Sequence, residues 1–285
     1  MLVHHVALVS EESTISMSEL MSVAAALEKQ AVRDFEPIWK IPATVTAFSS
    51  LDELPLDYWP IIIKDDIGDP SAAGYHEDKN GEPFSLVQYS DGWTLTASHE
   101  LLEMLADPFG RRTVAGPSPK QGQGRVKFLV EVCDPCEADE FAYTVNGIKV
   151  SDFYTPKYFD PVTSGERYSF SGAVKEPRQV LKGGYLSWYH PPTKSWWQRT
   201  WFGGAKPSDT KLALKITNGN VRAAVDRHTE LMRAKVQKRA VRRFGASATR
   251  LERMPVRAYV PEQNLAARAE ELRAAVKRVS RGKRK

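Results

Sequence analysis

The stretch Thr94 to Pro108, TLTASHELLEMLADP, does most to restrict what this chain can fold into. Ser98 or Thr96 is suited to cap a helix, the residues that follow are good helix formers, and Pro108 stops them. Leu101, Leu102, Met104 and Leu105 would pack such a helix into a core with or without a ligand. His99 and Glu103 stand at i and i+4, so an imidazole and a carboxylate leave one face and are able to share one metal ion. Glu100 lies between them, one residue beyond the first.

The elements before this helix follow from periodicity. Residues 1–9 read as a first strand, and a helical apolar stripe (Leu20, Val23, Ala24, Leu27, Ala31, Phe35) starts at Ser16 or Ser18 and ends at Pro37. Ala43 to Phe48 alternates as a strand, and Trp59 to Ile67, with Ile61-Ile62-Ile63, reads as a buried one. A turn-rich segment with Gly68, Pro70, Gly74 and Asn80-Gly81 follows, then a strand from Pro83 to Tyr89, expected at a sheet edge.

Beyond the helix, 108–124 reads as a loop and Arg125 to Val132 as a strand running into Cys133-Asp134-Pro135-Cys136. Asn146-Gly147 marks a hairpin. The aromatic-rich 151–201 is expected to be a loop-rich cap; lining a groove for sugar or peptide is the less frequent use of such density. Residues 203–220 read as a linker. A helix is expected from Asn220 to Phe244, and a second from Pro261, with a coiled-coil-like seam at Leu265, Ala269, Leu272, Val276 and Val279.

Charge divides the chain more sharply than its net +5 suggests. Residues 222–285 hold 19 Lys+Arg against 6 Asp+Glu, leaving 21 basic against 29 acidic in the rest. An acidic body therefore carries a basic tail. The tail reads either as a solvated face around a partner helix or as a phosphate-contacting arm for nucleic acid. No apolar run approaches the roughly 18 residues a membrane span needs, and the N-terminus lacks a basic n-region and a cleavage site. Two cysteines make no disulfide framework, and one CxxC is half a metal site at most. A reducing, cytoplasmic setting is the expectation.

The chemistry of the helix is that of HExxH zinc proteases with Glu103 in place of the second His. A carboxylate oxygen is an acceptable zinc ligand, and the intervening Glu is the proton acceptor in such sites. A catalytic zinc takes three protein ligands, so a third must come from elsewhere. Asp107 is near the same face, although an Asp before Pro commonly just caps a turn. Glu131 and Asp134, at a strand end, form a second option, with the Asp134-Pro135 turn as its plainer explanation. His76 is a third, although a lone His in a turn-rich segment is usually solvent-facing.

Ser98-His99-Glu100-Leu101-Leu102-Glu103 with Asp107-Pro108, followed by Glu131-Val132-Cys133-Asp134-Pro135-Cys136-Glu137, resembles a group of largely uncharacterised bacterial and phage proteins. More remotely it is similar to the HExxE segment of plant exordium-like proteins. Both resemble the zincin fold of metallopeptidases, over roughly Ala24 to Trp188. The resemblance implies His99 and Glu103 as zinc ligands, Glu100 as general base and one of Asp107, Glu131 or Asp134 as third ligand. The expectation is thus an α+β, zincin-like domain over 1–150, an aromatic β-rich extension over 151–204 and a linker with a basic helical tail over 205–285. Its function would be zinc-dependent hydrolysis of a peptide or protein. The alternatives are a structural or assembly protein, virion-associated if phage-encoded, that works through its tail, and an aromatic-lined carbohydrate binder.

Overall fold

A computed structural model of the chain describes residues 2–69, 72–214, 221–229, 232–233 and 273–274. They form an α+β arrangement of two compact units. The first gathers the described residues of Met1–Pro108, Thr144–Val150 and Glu252–Lys285; the second those of Phe109–Tyr143 and Ser151–Leu251. Among the described residues no helix is long and apolar enough to cross a membrane.

The first unit is built on a five-stranded sheet: β1 (His4–Ser10), β2 (Ala43–Phe48), β3 (Tyr58–Lys64), β4 (Gly74–Lys79) and β5 (Glu82–Gln88), in the order β2-β1-β3-β5-β4. β2, β1, β3 and β5 run parallel, and β4 lies antiparallel to β5 at the edge. Val6 to Val9 and Ile61 to Ile63 are fully enclosed, as continuous apolar runs in a parallel sheet covered on both faces must be. Helix α1 (Met17–Lys29) packs on β2; the Ser16 hydroxyl caps it by accepting the Glu19 amide.

The helical path does not stop at Pro37. It continues through a π-helical turn, Gln30–Phe35, into α2 (Glu36–Trp39). Pro37 falls in the first turn of α2, where its missing N–H is no loss. Lys40, left-handed with φ 59°, ends the path instead. The extra residue per turn places Gln30 and Asp34 among the buried side chains.

Two further expectations change. The edge strand is β4, inside the segment read as turns, and the strand carrying Pro83 is interior, with Pro83 at its second residue opposite Asp78. Asn80 (φ 55°) and Gly81 (φ 85°) make the two-residue turn between β4 and β5, a backbone that favours Asn-Gly. Helix α3 (Trp93–Ala106) starts at Gly92, so neither Thr96 nor Ser98 caps it. Thr96 donates back to the Gly92 carbonyl, and the Ser98 hydroxyl donates to Gln30 Oε1 at 2.7 Å, tying α3 to the π turn. The helix ends just before Asp107-Pro108, as the proline demands.

The chain enters the second unit at Phe109 with β6 (Thr113–Pro117) and β7 (Arg125–Leu129). The hairpin β8 (Tyr143–Val145) and β9 (Ile148–Val150) turns at Asn146 and Gly147, both at positive φ. Its residues 144–150 return to the first unit, where the Lys149 carbonyl accepts from Thr94 on α3. The second unit resumes with β10 (Tyr185–His190), β11 (Ser195–Thr200) and β12 (Ser208–Lys211), completing an antiparallel sheet ordered β12-β11-β10-β7-β6. So the expected loop at 108–124 and the expected linker at 203–220 each contribute an edge strand. The aromatic segment supplies two sheet strands as well as irregular structure, with Trp188 buried beside Phe128.

Helix α4, over 221–229, belongs to this unit's core: Val225 packs with Leu129 and Leu212, and Thr229 meets Gln198. Asn220, the remainder of this expected helix apart from residues 232–233, and the expected seam at 261–279 apart from residues 273–274, lie outside the described residues. The Arg222 guanidinium donates to the Glu131 carboxylate, with side chains 3% and 5% exposed. Arg233 pairs with Glu137, and Arg273 makes a bidentate contact with Asp52 in the first unit. Three arginines of the basic region therefore serve carboxylates of the body. Arg222→Ala leaves a buried carboxylate without its guanidinium and is expected to cost about 3–5 kcal/mol. Arg273→Ala, at a half-exposed pair, is expected to cost less than about 1 kcal/mol. Urea unfolding followed by tryptophan fluorescence measures both.

Candidate metal centre

Helix α3 lies against β5 and β4 and carries the polar groups that the sequence marked. Positions 99, 100 and 103 form a triangle on a helix surface, with 103 one turn from both others. His99 Nε2 lies 3.3 Å from Glu103 Oε1, so this imidazole and carboxylate converge. Glu103 is fully enclosed, whereas the His99 side chain keeps 14% of its surface exposed. The pair thus has one inner and one outer member.

Glu100 reaches toward β4. Its Oε2 lies 3.5 Å from Nδ1 of His76, whose ring is fully buried. His76 Nε2 is 2.9 Å from the main-chain carbonyl of Asp107. A carbonyl only accepts, so Nε2 carries the proton of that bond and Nδ1 is the ring atom that faces Glu100. His76, Glu100 and Glu103 each place a donor atom within 4.8 Å of the other two.

This arrangement depends on a close approach. A Cβ built on Gly74, the first residue of β4, would lie 2.6 Å from Thr96 Cγ2, 3.1 Å from the Leu86 carbonyl and 3.2 Å from Glu100 Cγ. Only glycine lets the strand come this near to α3 two residues before His76. Tyr75, between them, is no competitor for proton transfer. Burial raises its phenol pKa far above the ordinary value, and the charges of Glu77, Asp69, Asp66 and Glu100 add to the effect. The hydroxyl donates to the Ile67 carbonyl and stays neutral.

Electrostatics define what the site requires. Two charged carboxylates within 4.8 Å of each other repel by roughly 3.5 kcal/mol or more at an effective dielectric constant of about 20. Glu100 and Glu103 are both buried, and a cation seated between them would offset this repulsion. An imidazole nitrogen with two carboxylates is a transition-metal donor set, unlike the all-oxygen sets of calcium and magnesium.

The other sequence candidates stand on other elements. Asp107 is buried at the C-terminal cap of α3, and it is its carbonyl that meets His76. Asp134 belongs to the second unit, where it opens a 3-10 turn, Asp134–Cys136. Its carbonyl lies so close to Gly184 that a Cβ there would be 2.5 Å away. Glu131, in the same unit, takes Arg222. Cys133 and Cys136 are buried and not joined as a disulfide. His76, expected to face solvent, is instead enclosed, because β4 is a strand and not a turn. The available signal was Asn80-Gly81, which places a hairpin here and so a strand through His76.

Comparison with protein-family models, with curated proteins and with solved structures found no match for this chain.

Gly74→Ala is expected to drive β4 and α3 apart or force Thr96 from its rotamer, at a cost of about 1–3 kcal/mol. Gly81→Ala, which meets no atom within 4 Å, strains only the turn. Comparing the two denaturation midpoints, with the deficit of Gly74→Ala rescued by adding Thr96→Ser, checks that contact.

Proposed function

We propose that the first unit is a metal-dependent hydrolase, resembling zinc metallopeptidases, whose cation is held by His99, Glu103 and a third protein donor. The observation that carries this reading is the 3.3 Å approach of His99 Nε2 to Glu103 Oε1, one member enclosed and the other partly exposed. A catalytic metal needs protein donors on one side and access on the other. The order of elements adds support: a helix, two strands, a hairpin bearing the edge strand, then the donor helix. That is the succession in the catalytic half of zincin-like enzymes, and it favours the zincin reading of this α+β unit.

A zinc-class cation, when bound, supplies a Lewis acid and an acidified water. The chain's own groups do the rest. Glu103, with no solvent of its own, is a rigid ligand, while His99 is tethered to it by one helical turn. Glu100, next along the helix, accepts the proton of the attacking water and passes it to the leaving amine. His76 holds the Glu100 carboxylate from the far side, and is itself held by the Asp107 carbonyl. Orientation of the proton acceptor is thereby set by main-chain geometry.

After dialysis against metal-free buffer, the wild-type chain is expected to retain one equivalent of zinc, and His99→Ala to retain none. Glu100→Gln is expected to keep the metal and lose at least about 100-fold of any hydrolysis of a mixed peptide library. Retention of zinc by His99→Ala at the wild-type level would overturn the assignment.

A further inference from the structure

His76, Glu100 and Glu103 form a group that the hydrolytic reading uses only in part. His76 stands on β4, a different element from the other two, and its Nε2 is committed to a main-chain carbonyl 2.9 Å away. Metal-ligating histidines characteristically spend one nitrogen in this way, which fixes the ring and aims the other nitrogen at the ion. Here the aimed atom is Nδ1, and what it faces is Glu100, with Glu103 in the same group. The absence of a side chain at Gly74 lets the strand bring His76 close to Glu100.

We infer that His76, Glu100 and Glu103 make a second seat for a divalent transition cation of the zinc class, sharing Glu103 with the first and inhibitory when filled. This rests on the proton-acceptor role of Glu100 given above. The seat supplies three protein donors, one nitrogen and two oxygens, all on one compact unit. A cation there offsets the repulsion between the two carboxylates more fully than one imidazolium can. It also takes up the carboxylate that otherwise accepts a proton. The same side chain cannot do both, so excess metal stops turnover without displacing the first ion. The second seat is the weaker, because filling it places two cations on one shared carboxylate.

Zinc titrated calorimetrically into the dialysed, zinc-retaining protein tests this. The wild type is expected to take up one further equivalent. His76→Gln, whose amide still reaches the Asp107 carbonyl but offers no Nδ1, is expected to take up none while retaining the first. Glu100→Gln, a second variant with the ring intact, is expected to lose the same equivalent. His99→Ala is expected to lose the first ion and still bind one. A wild type saturated by its retained ion, or a His76→Gln that still takes up the second, overturns the second seat and leaves the function above standing. If His99→Ala retains its ion through dialysis, the function above fails, whatever His76→Gln does. In a hydrolysing preparation, excess zinc is expected to abolish activity of the wild type, while His76→Gln, slower from the outset because Glu100 loses its support, keeps its own rate at every zinc concentration; equal fractional inhibition of both overturns the proposal.

Discussion

Glu103 is completely enclosed, and a carboxylate taken out of water must be given charge or hydrogen bonds in return. The first unit meets this demand with imidazoles from two directions. His99 comes from the same helix one turn earlier, and His76 from the edge strand, beside Glu100 in the same group. The parallel strands and their apolar runs provide the platform, but the placement of β4 determines whether those groups meet. That placement in turn rests on an absent methyl group at Gly74 and on a two-residue turn at Asn80-Gly81.

Much of this was legible in the sequence. The three-to-four residue spacing in α3 is a strong period, Pro108 is an unambiguous stop, and the 99–103 convergence follows from helix geometry alone. β2 spans the six residues that its alternation marks, Ala43–Phe48. The N-terminal boundary of α3 was less clear, because Thr96 and Ser98 are equally good at capping and at back-bonding within a helix. Here one turns to the Gly92 carbonyl and the other to Gln30.

What was hidden was hidden for physical reasons. β4 reads Gly-Tyr-His-Glu-Asp-Lys, too charged for an alternation signal, and becomes a strand because β5 offers it a ladder. The burial of His76 cannot be read locally, since it follows from packing against a helix some twenty residues later. β6 and β12 are short edges with weak propensity, made by the neighbours they pair with. Pro37 misled in the opposite direction: a proline ends a helix in its interior but is welcome in a first turn, and the π turn upstream creates one.

The enclosed guanidinium of Arg222 redefines where the cationic arm of this protein begins. By composition the basic region starts there, yet that residue and Arg233 belong to the fabric of the second unit, reaching back across 91 and 96 positions to Glu131 and Glu137. A chain shortened to residue 221 would not be the same body relieved of an appendage. It would be a body with two of its internal counter-charges cut out, and any change in its behaviour would report on that injury first.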